Sequence, residues 1–269
     1  MKNRFLSVAT LFLAFGSNGF AQSAKASIEQ MNVPGILRTA TTATTTSLPP
    51  GITVPSTAVV TKNVQTLSGW QICVASCANG AVPKTYKMTQ HVASASQNND
   101  GTGATLYESG TAFGDVMWHD TLAQNSSATH FVMDMYIKID HPENVQALEI
   151  ALLKRNGSYW YKGSTQCNYK TGEFRGYSPG HGWVSLGASC VKAQANTWQR
   201  VTLQFSITSG RTSFDGVSFN GVLQPMAATL APIHESTTSQ TMGVHFQLDN
   251  ANTTAGYTVD VDNWNAYSW

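Results

Sequence analysis

The chain has 269 residues, of which 12% are charged, and a formal net charge of +1. Such a balance offers no clustered Lys and Arg for nucleic acid or acidic lipid, which excludes both as partners. Seven Trp and nine Tyr leave room for exposed aromatic platforms beside those that pack in a core.

Met1–Ala21 reads as a secretory signal peptide. Lys2 and Arg4 form a basic start, Phe5–Phe15 is a short apolar run, and Gly19-Phe20-Ala21 suits cleavage before Gln22. The apolar run falls short of the roughly 20 residues that span a membrane. No later segment reaches that length, so a secreted protein, extracellular or periplasmic and free of the membrane after cleavage, is expected. Residues 22–60 are rich in Thr, Ser, Ala and Pro and read as a linker or arm: Thr39–Thr46 is of low complexity, and Pro49-Pro50-Gly51 breaks regular structure. Residues 61–269 read as one all-β domain.

Cys73, Cys77, Cys167 and Cys190 allow three pairings. Export makes disulfides the expected chemistry, and the closeness of the first two favours Cys73–Cys77 with Cys167–Cys190. The second bridge would close a loop of about 24 residues and contribute roughly 3 kcal/mol. No Cys-x-x-Cys pair supports zinc. Asn98-Asn99-Asp100-Gly101-Thr102-Gly103 is an oxygen-rich turn that lacks the fixed acids of an EF-hand.

His130–Ile139 separates into two faces. Phe131, Met133, Met135, Ile137 and Ile139 are apolar, while His130, Asp134, Tyr136 and Lys138 are not. A period of two means a strand with one face on a core and the other free for a ligand. Ala147–Lys154 and Ser158–Lys162 flank Asn156-Gly157, and Thr212–Phe219 and Val222 flank Asn220-Gly221; both are two-residue hairpin signals. Gly176–Trp183 is a loop by composition. Alternation recurs at Val201–Ile207, Val244–Asp249 and Tyr257–Asp262, and no long segment shows a helical period. The fold class is therefore all-β, a two-sheet antiparallel β-sandwich or jelly roll.

Trp198-x-x-Val201-x-Leu203-x-Phe205, Phe214-x-x-Val217-x-Phe219-Asn220-Gly221 and Tyr257-x-Val259-x-Val261-Asp262-Asn263 resemble the second half of concanavalin A-like lectin/glucanase domains. The resemblance covers roughly residues 130–269, and the whole domain is similar to secreted bacterial members of unassigned role. It implies two curved sheets with a glycan groove on the concave one. Lectins, carbohydrate-binding modules, glycosidases and polysaccharide lyases share this architecture, so the resemblance leaves binding and cleavage both open.

Asp134 and Glu149 are the candidate catalytic pair, since glycoside hydrolysis needs two carboxyl groups about 5 to 10 Å apart. The family's glucanases carry E-x-D-x-x-E on one strand. In Glu149-Ile150-Ala151-Leu152-Leu153-Lys154 only the first acid is present, and the alternative is that both acids are hydrogen-bonded groove residues. His245 and Gln247 share one strand face. With Tyr136 they match the His–Tyr acid/base set of polysaccharide lyases, with Arg200 or Lys138 to neutralise a uronate. Trp118, Tyr159, Trp160, Tyr161, Tyr177 and Trp183 are candidate sugar platforms, with Trp160 and Trp183 foremost. The expected partner is a poly- or oligosaccharide, with adhesion by the sandwich as a third reading. No cofactor is required; Asp260 and Asp262, on one face of the last strand, could hold a structural calcium or face solvent.

Overall fold

The computed structural model describes residues 47–75, 77 and 80–269. The expected signal peptide and residues 22–46 of the arm lie outside these. The strands are β1 (Val59–Thr61), β2 (Gln71–Cys73), β3 (Thr85–Thr89), β4 (Ala104–Ser109), β5 (Asp115–Leu122), β6 (His130–Ile139), β7 (Val145–Asn168), β8 (Glu173–Ser178), β9 (Gly182–Ser189), β10 (Gln199–Thr208), β11 (Arg211–Phe219), β12 (Val222–Pro225), β13 (Thr229–Leu230), β14 (Ile233–Asn250) and β15 (Tyr257–Ser268). Short 3-10 turns are the helical elements among the described residues.

Two antiparallel sheets form a β-sandwich. One has nine strands, ordered β12-β11-β10-β6-β15-β4-β3 with β1 on β15 and β13 on β11. The other has six, ordered β2-β5-β14-β7-β8-β9. Side chains alternate across each strand, so every second residue enters the space between the sheets. From the nine-stranded sheet come Phe131, Met133, Met135, Leu203, Phe205, Val259 and Val261. Trp118, Leu148, Ile150, Leu152, Val244, Phe246 and Leu248 come from the six-stranded one. β6 and β10 place Phe131 opposite Phe205, and the rings stack with centroids 4.7 Å apart. Burying each such side chain contributes about 1.5–3 kcal/mol.

The Asn220-Gly221 hairpin signal acts as expected. Phe219 pairs with Val222 around Asn220 (φ 49°) and Gly221 (φ 84°), the positive-φ pair that a type I′ turn requires. β7 folds back on itself near Gly157 (φ 64°), while Asn156, expected to share the turn at positive φ, stays paired with Gln240 of β14. Its first arm pairs with β14 and its last residues pair with β8, while the Tyr169 N–H donates to the Gln146 carbonyl over 2.9 Å. A straight strand of this length would hold those ends about 75 Å apart. Gly163, on the returning arm, lies where a Cβ would come within 2.2 Å of the Phe205 ring, so only glycine lets the sheets approach there.

Gly176–Trp183 is not the expected loop. It is the β8–β9 hairpin, with Tyr177 opposite Trp183 and Ser178 opposite Gly182. Its glycines serve packing as well as turning: a Cβ on Gly176 would meet Leu230 and Leu186 at 2.8 and 2.9 Å.

Cys73 is bonded to Cys77 and Cys167 to Cys190, with Cα separations of 5.8 and 5.3 Å. The second bridge ties the end of β7 to the segment after β9. Two disulfides suit an oxidising environment, and no helix among the described residues is long and apolar enough to cross a membrane.

Candidate functional site

The outer face of the six-stranded sheet is a grid of polar side chains. β5 contributes Asp115, Met117 and His119, because Val116 and Trp118 point inward. β14 sets Asp249, Gln247 and His245 directly opposite these three. The first arm of β7 places Ala147, Glu149 and Ala151 beside Asp249, Gln247 and His245 in turn. The returning arm adds Lys162, Ser164 and Gln166, and Gln166 pairs with Arg175 of β8. Tyr177 and Trp183 close the far side.

An open cavity of about 460 Å³ lies over this face. Asp115, Glu149, Lys162, Arg175, Tyr177 and Trp183 are among its lining residues, together with Cys77, Gly80 and Phe113. The rings of Tyr177 and Trp183 meet edge to face, 5.8 Å apart. Lys162 sits 5.1 Å from the Trp160 ring and 6.0 Å from Tyr177, and the Arg175 guanidinium sits 6.0 Å from Trp183. Cations beside rings in this way are held in place while remaining able to meet a ligand.

Glu149 is the best-supported group on the floor. Its Oε1 lies 2.9 Å from His245 Nε2 and accepts the Ser164 hydroxyl. Burial opposes a charge on this carboxyl, but His245, Lys162 and Ser164 outweigh it and hold its pKa below the ordinary carboxylate range. Burial drives His245 the other way, below its usual value and against the pull of Glu149.

Asp249 has the opposite character. Burial, and then Asp115 directly across the strand pair, push its pKa well up, although Gln247 and Gln166 donate to it over 2.7 and 2.9 Å. Asp115 is pushed up to about 6 by burial and by Glu149, against a backbone hydrogen bond from Gly80. Only glycine lets the backbone of residue 80 come so close: a Cβ there would fall within 2.2 Å of the Asp115 carboxyl.

The expected site residues divide between the two sheets. Glu149, Gln247 and Trp183 meet at the cavity. His245 stands behind Glu149 with 2% exposure, placed to orient the carboxylate rather than touch a ligand. Trp160 lies toward the hairpin end, half-buried between Arg155 and Lys162. Asp134, Tyr136 and Arg200 lie on the outer face of the nine-stranded sheet, on the other side of the sandwich. Asp134 and Glu149 therefore form no catalytic pair, and His245 and Tyr136 form no acid/base set. Asp134 instead accepts both Arg200 Nε and Nη2 at 2.8 Å and the Thr202 hydroxyl at 2.6 Å. Arg200 also covers Tyr136, 5.5 Å from its ring. This is a satisfied, bidentate structural pair.

Trp118 and Tyr161 are buried and are not platforms. Asp260 bonds Lys138 at 2.9 Å and the Thr105 hydroxyl at 2.7 Å. Asp262 accepts the Gln97 N–H at 2.9 Å and the Thr102 hydroxyl at 3.0 Å. Both carboxylates thus staple neighbouring segments, and no cluster of three or more His, Cys, Asp or Glu among the described residues is placed to hold a metal.

Asp115, Lys162, Gln166, Arg175 and Asp249 were not singled out from the sequence. The alternation in Asp115–Leu122 carries the signal for Asp115, and the polar positions of Val244–Asp249 carry the signal for Asp249. Arg175 sits just ahead of the stretch read as a loop.

No family model matches the chain, and no curated protein matches it. Solved structures similar to it include arcelin-5, a lectin-like defense protein from Phaseolus vulgaris (12% identity over 80% of this chain and 99% of that one, TM-score 0.45). Others are a marine PL-14 alginate lyase from Aplysia kurodai (12% identity, 62% and 83%, TM-score 0.45) and peanut lectin (8% identity, 79% and 97%, TM-score 0.46). At these identities and TM-scores no residue role is carried over from them.

Proposed function

We propose that this protein is a secreted carbohydrate-binding protein that holds a poly- or oligosaccharide on the outer face of its six-stranded sheet. One observation carries the reading: the paired rings of Tyr177 and Trp183 stand beside convergent planar polar groups, Glu149, Gln166, Arg175 and Gln247, in one open cavity. Sugar rings present apolar C–H faces that stack on flat side chains, and hydroxyls that need oriented donors and acceptors. Few other ligands need both at once in a shallow, charge-balanced trough. Affinity chromatography of the mature domain on insoluble and immobilised polysaccharides tests it. Retention without product release fits the reading, and failure to bind any glycan overturns it.

Cleavage is the second reading, favoured by a specific contrast. Asp115 is pushed up to about 6 while Glu149 is held ionised in the same groove. Two carboxyl groups whose environments drive their pKa values apart are the usual arrangement of an acid and its ionised partner. β5 and the first arm of β7 flank β14 on the same outer face, so the two carboxyl groups border one groove. Release of reducing ends, abolished by Asp115→Asn, is the expected sign of it; an intact polysaccharide after prolonged incubation contradicts it.

A further inference from the structure

Phe113 lies in the turn between β4 and β5, at the opposite end of the cavity from Trp183, and lines that cavity. Two features of this residue run against stability. The residue is 46% exposed. Its φ is +55°, in the left-handed region that a bulky L-residue enters at a cost of about 1–2 kcal/mol. The backbone is pinned there from both sides: the Phe113 N–H donates to the Ala251 carbonyl over 3.0 Å, and its carbonyl accepts the Ala81 N–H over 2.9 Å. Folding alone would favour Gly or Asn at such a position. A strained backbone that presents an apolar ring to a polar groove points to a use for the ring.

Asp115, two residues on, faces the same cavity and is held by the Gly80 backbone. Asp249 stands directly across from it. Lys162 and Arg175, the cations of the groove, belong to the strands at the other side. This corner therefore offers a flat apolar surface and carboxyl oxygens that accept hydroxyl donors, and it disfavours a second anion.

Resting on the glycan-binding reading, we propose that Phe113 and Asp115 form a second sugar subsite, which stacks the apolar face of a neutral sugar unit on the Phe113 ring and takes its hydroxyls on the Asp115 carboxylate. β5 and β9 lie five strand spacings apart, about 24 Å. The two aromatic ends then hold separate units of one chain several rings long.

Calorimetric titration of the wild type, Phe113→Gly and Trp183→Ala tests this. The probes are cellohexaose, laminarihexaose, xylohexaose and chitohexaose as neutral chains, with hexamers of guluronate and galacturonate as acidic ones. Glycine adopts the positive φ freely, so Phe113→Gly is expected to melt no lower than the wild type. It is expected to bind a neutral hexamer about tenfold more weakly, the equivalent of ~1.4 kcal/mol. Phe113→Asn, which also tolerates this backbone, serves should the glycine variant misfold. If Phe113→Gly binds as the wild type does while Trp183→Ala weakens, the subsite is refuted and the groove reading stands. Binding confined to acidic hexamers refutes the neutral class. Binding of no hexamer refutes both.

Discussion

Glu149 and His245 face each other across β7 and β14, with Oε1 and Nε2 2.9 Å apart and 4% and 2% exposed. The carboxylate on the floor of the cavity is thus fixed from behind by a buried imidazole and from the side by Ser164. Removing the hydrogen-bond partner of a buried carboxylate leaves its charge uncompensated and costs about 3–5 kcal/mol. His245→Ala is expected to lower the urea midpoint by an amount in that range, and His245→Gln, which keeps an N–H donor, is expected to recover much of it. Equal losses in the two variants would mean that packing, not the hydrogen bond, is what His245 supplies.

Glu108 points between the sheets beside Tyr257. Burial pushes its pKa up to about 9, helped by the Asp249 and Asp115 carboxylates and opposed by Tyr257. The sign follows from proton counting. In the unfolded chain the group ionises near its ordinary 4.5. Between 4.5 and about 9 the folded state therefore binds the extra proton, and stability falls as pH rises, by at most about 1.4 kcal/mol per unit. Chemical denaturation at pH 5, 7 and 9 is expected to show this decline, and Glu108→Gln is expected to flatten it and to be the more stable protein at high pH.

The Cys167–Cys190 bridge has a sequence separation of 23 and closes the segment holding the β8–β9 hairpin, which carries Tyr177 and Trp183. Its removal as the double Ser variant is expected to cost about 2–4 kcal/mol by the loop-entropy argument. Protection from hydrogen exchange should fall first in β8 and β9. A uniform loss across both sheets would contradict the placement of its effect.

Gly163→Ala forces a methyl within 2.2 Å of the Phe205 ring, between the two sheets. Overpacking of this kind costs about 1–3 kcal/mol. Thermal melting reads it directly, and an unchanged melting temperature would show that the sheets separate without penalty.

Much of the fold was legible in the sequence, and the grouping of the site was not. Each strand's alternation says which residues turn inward: Phe131, Met133 and Met135 do, and so do Val244, Phe246 and Leu248. Alternation does not say which sheet a strand joins. β6 and β7 are consecutive yet belong to opposite sheets, so Asp134 and Glu149, each correctly placed on an outer face, look away from each other. Lys162 meets Tyr177, and Arg175 meets Trp183, only through the pairing of β7, β8 and β9, a non-local fact that no single segment contains. The Gly176–Trp183 stretch misled because its glycines read as loop signals, while Gly176 serves close packing inside a strand.

The most direct test is the affinity of the wild type and Trp183→Ala for whichever polysaccharide retains the wild type. Trp183 is a half-buried side chain at the cavity wall whose loss spares the core. The variant is expected to keep its melting temperature and to bind about tenfold or more weakly, a loss of at least ~1.4 kcal/mol. Undiminished binding by Trp183→Ala, together with ligand protection mapping to the Asp134–Arg200 face of the nine-stranded sheet, would contradict the account.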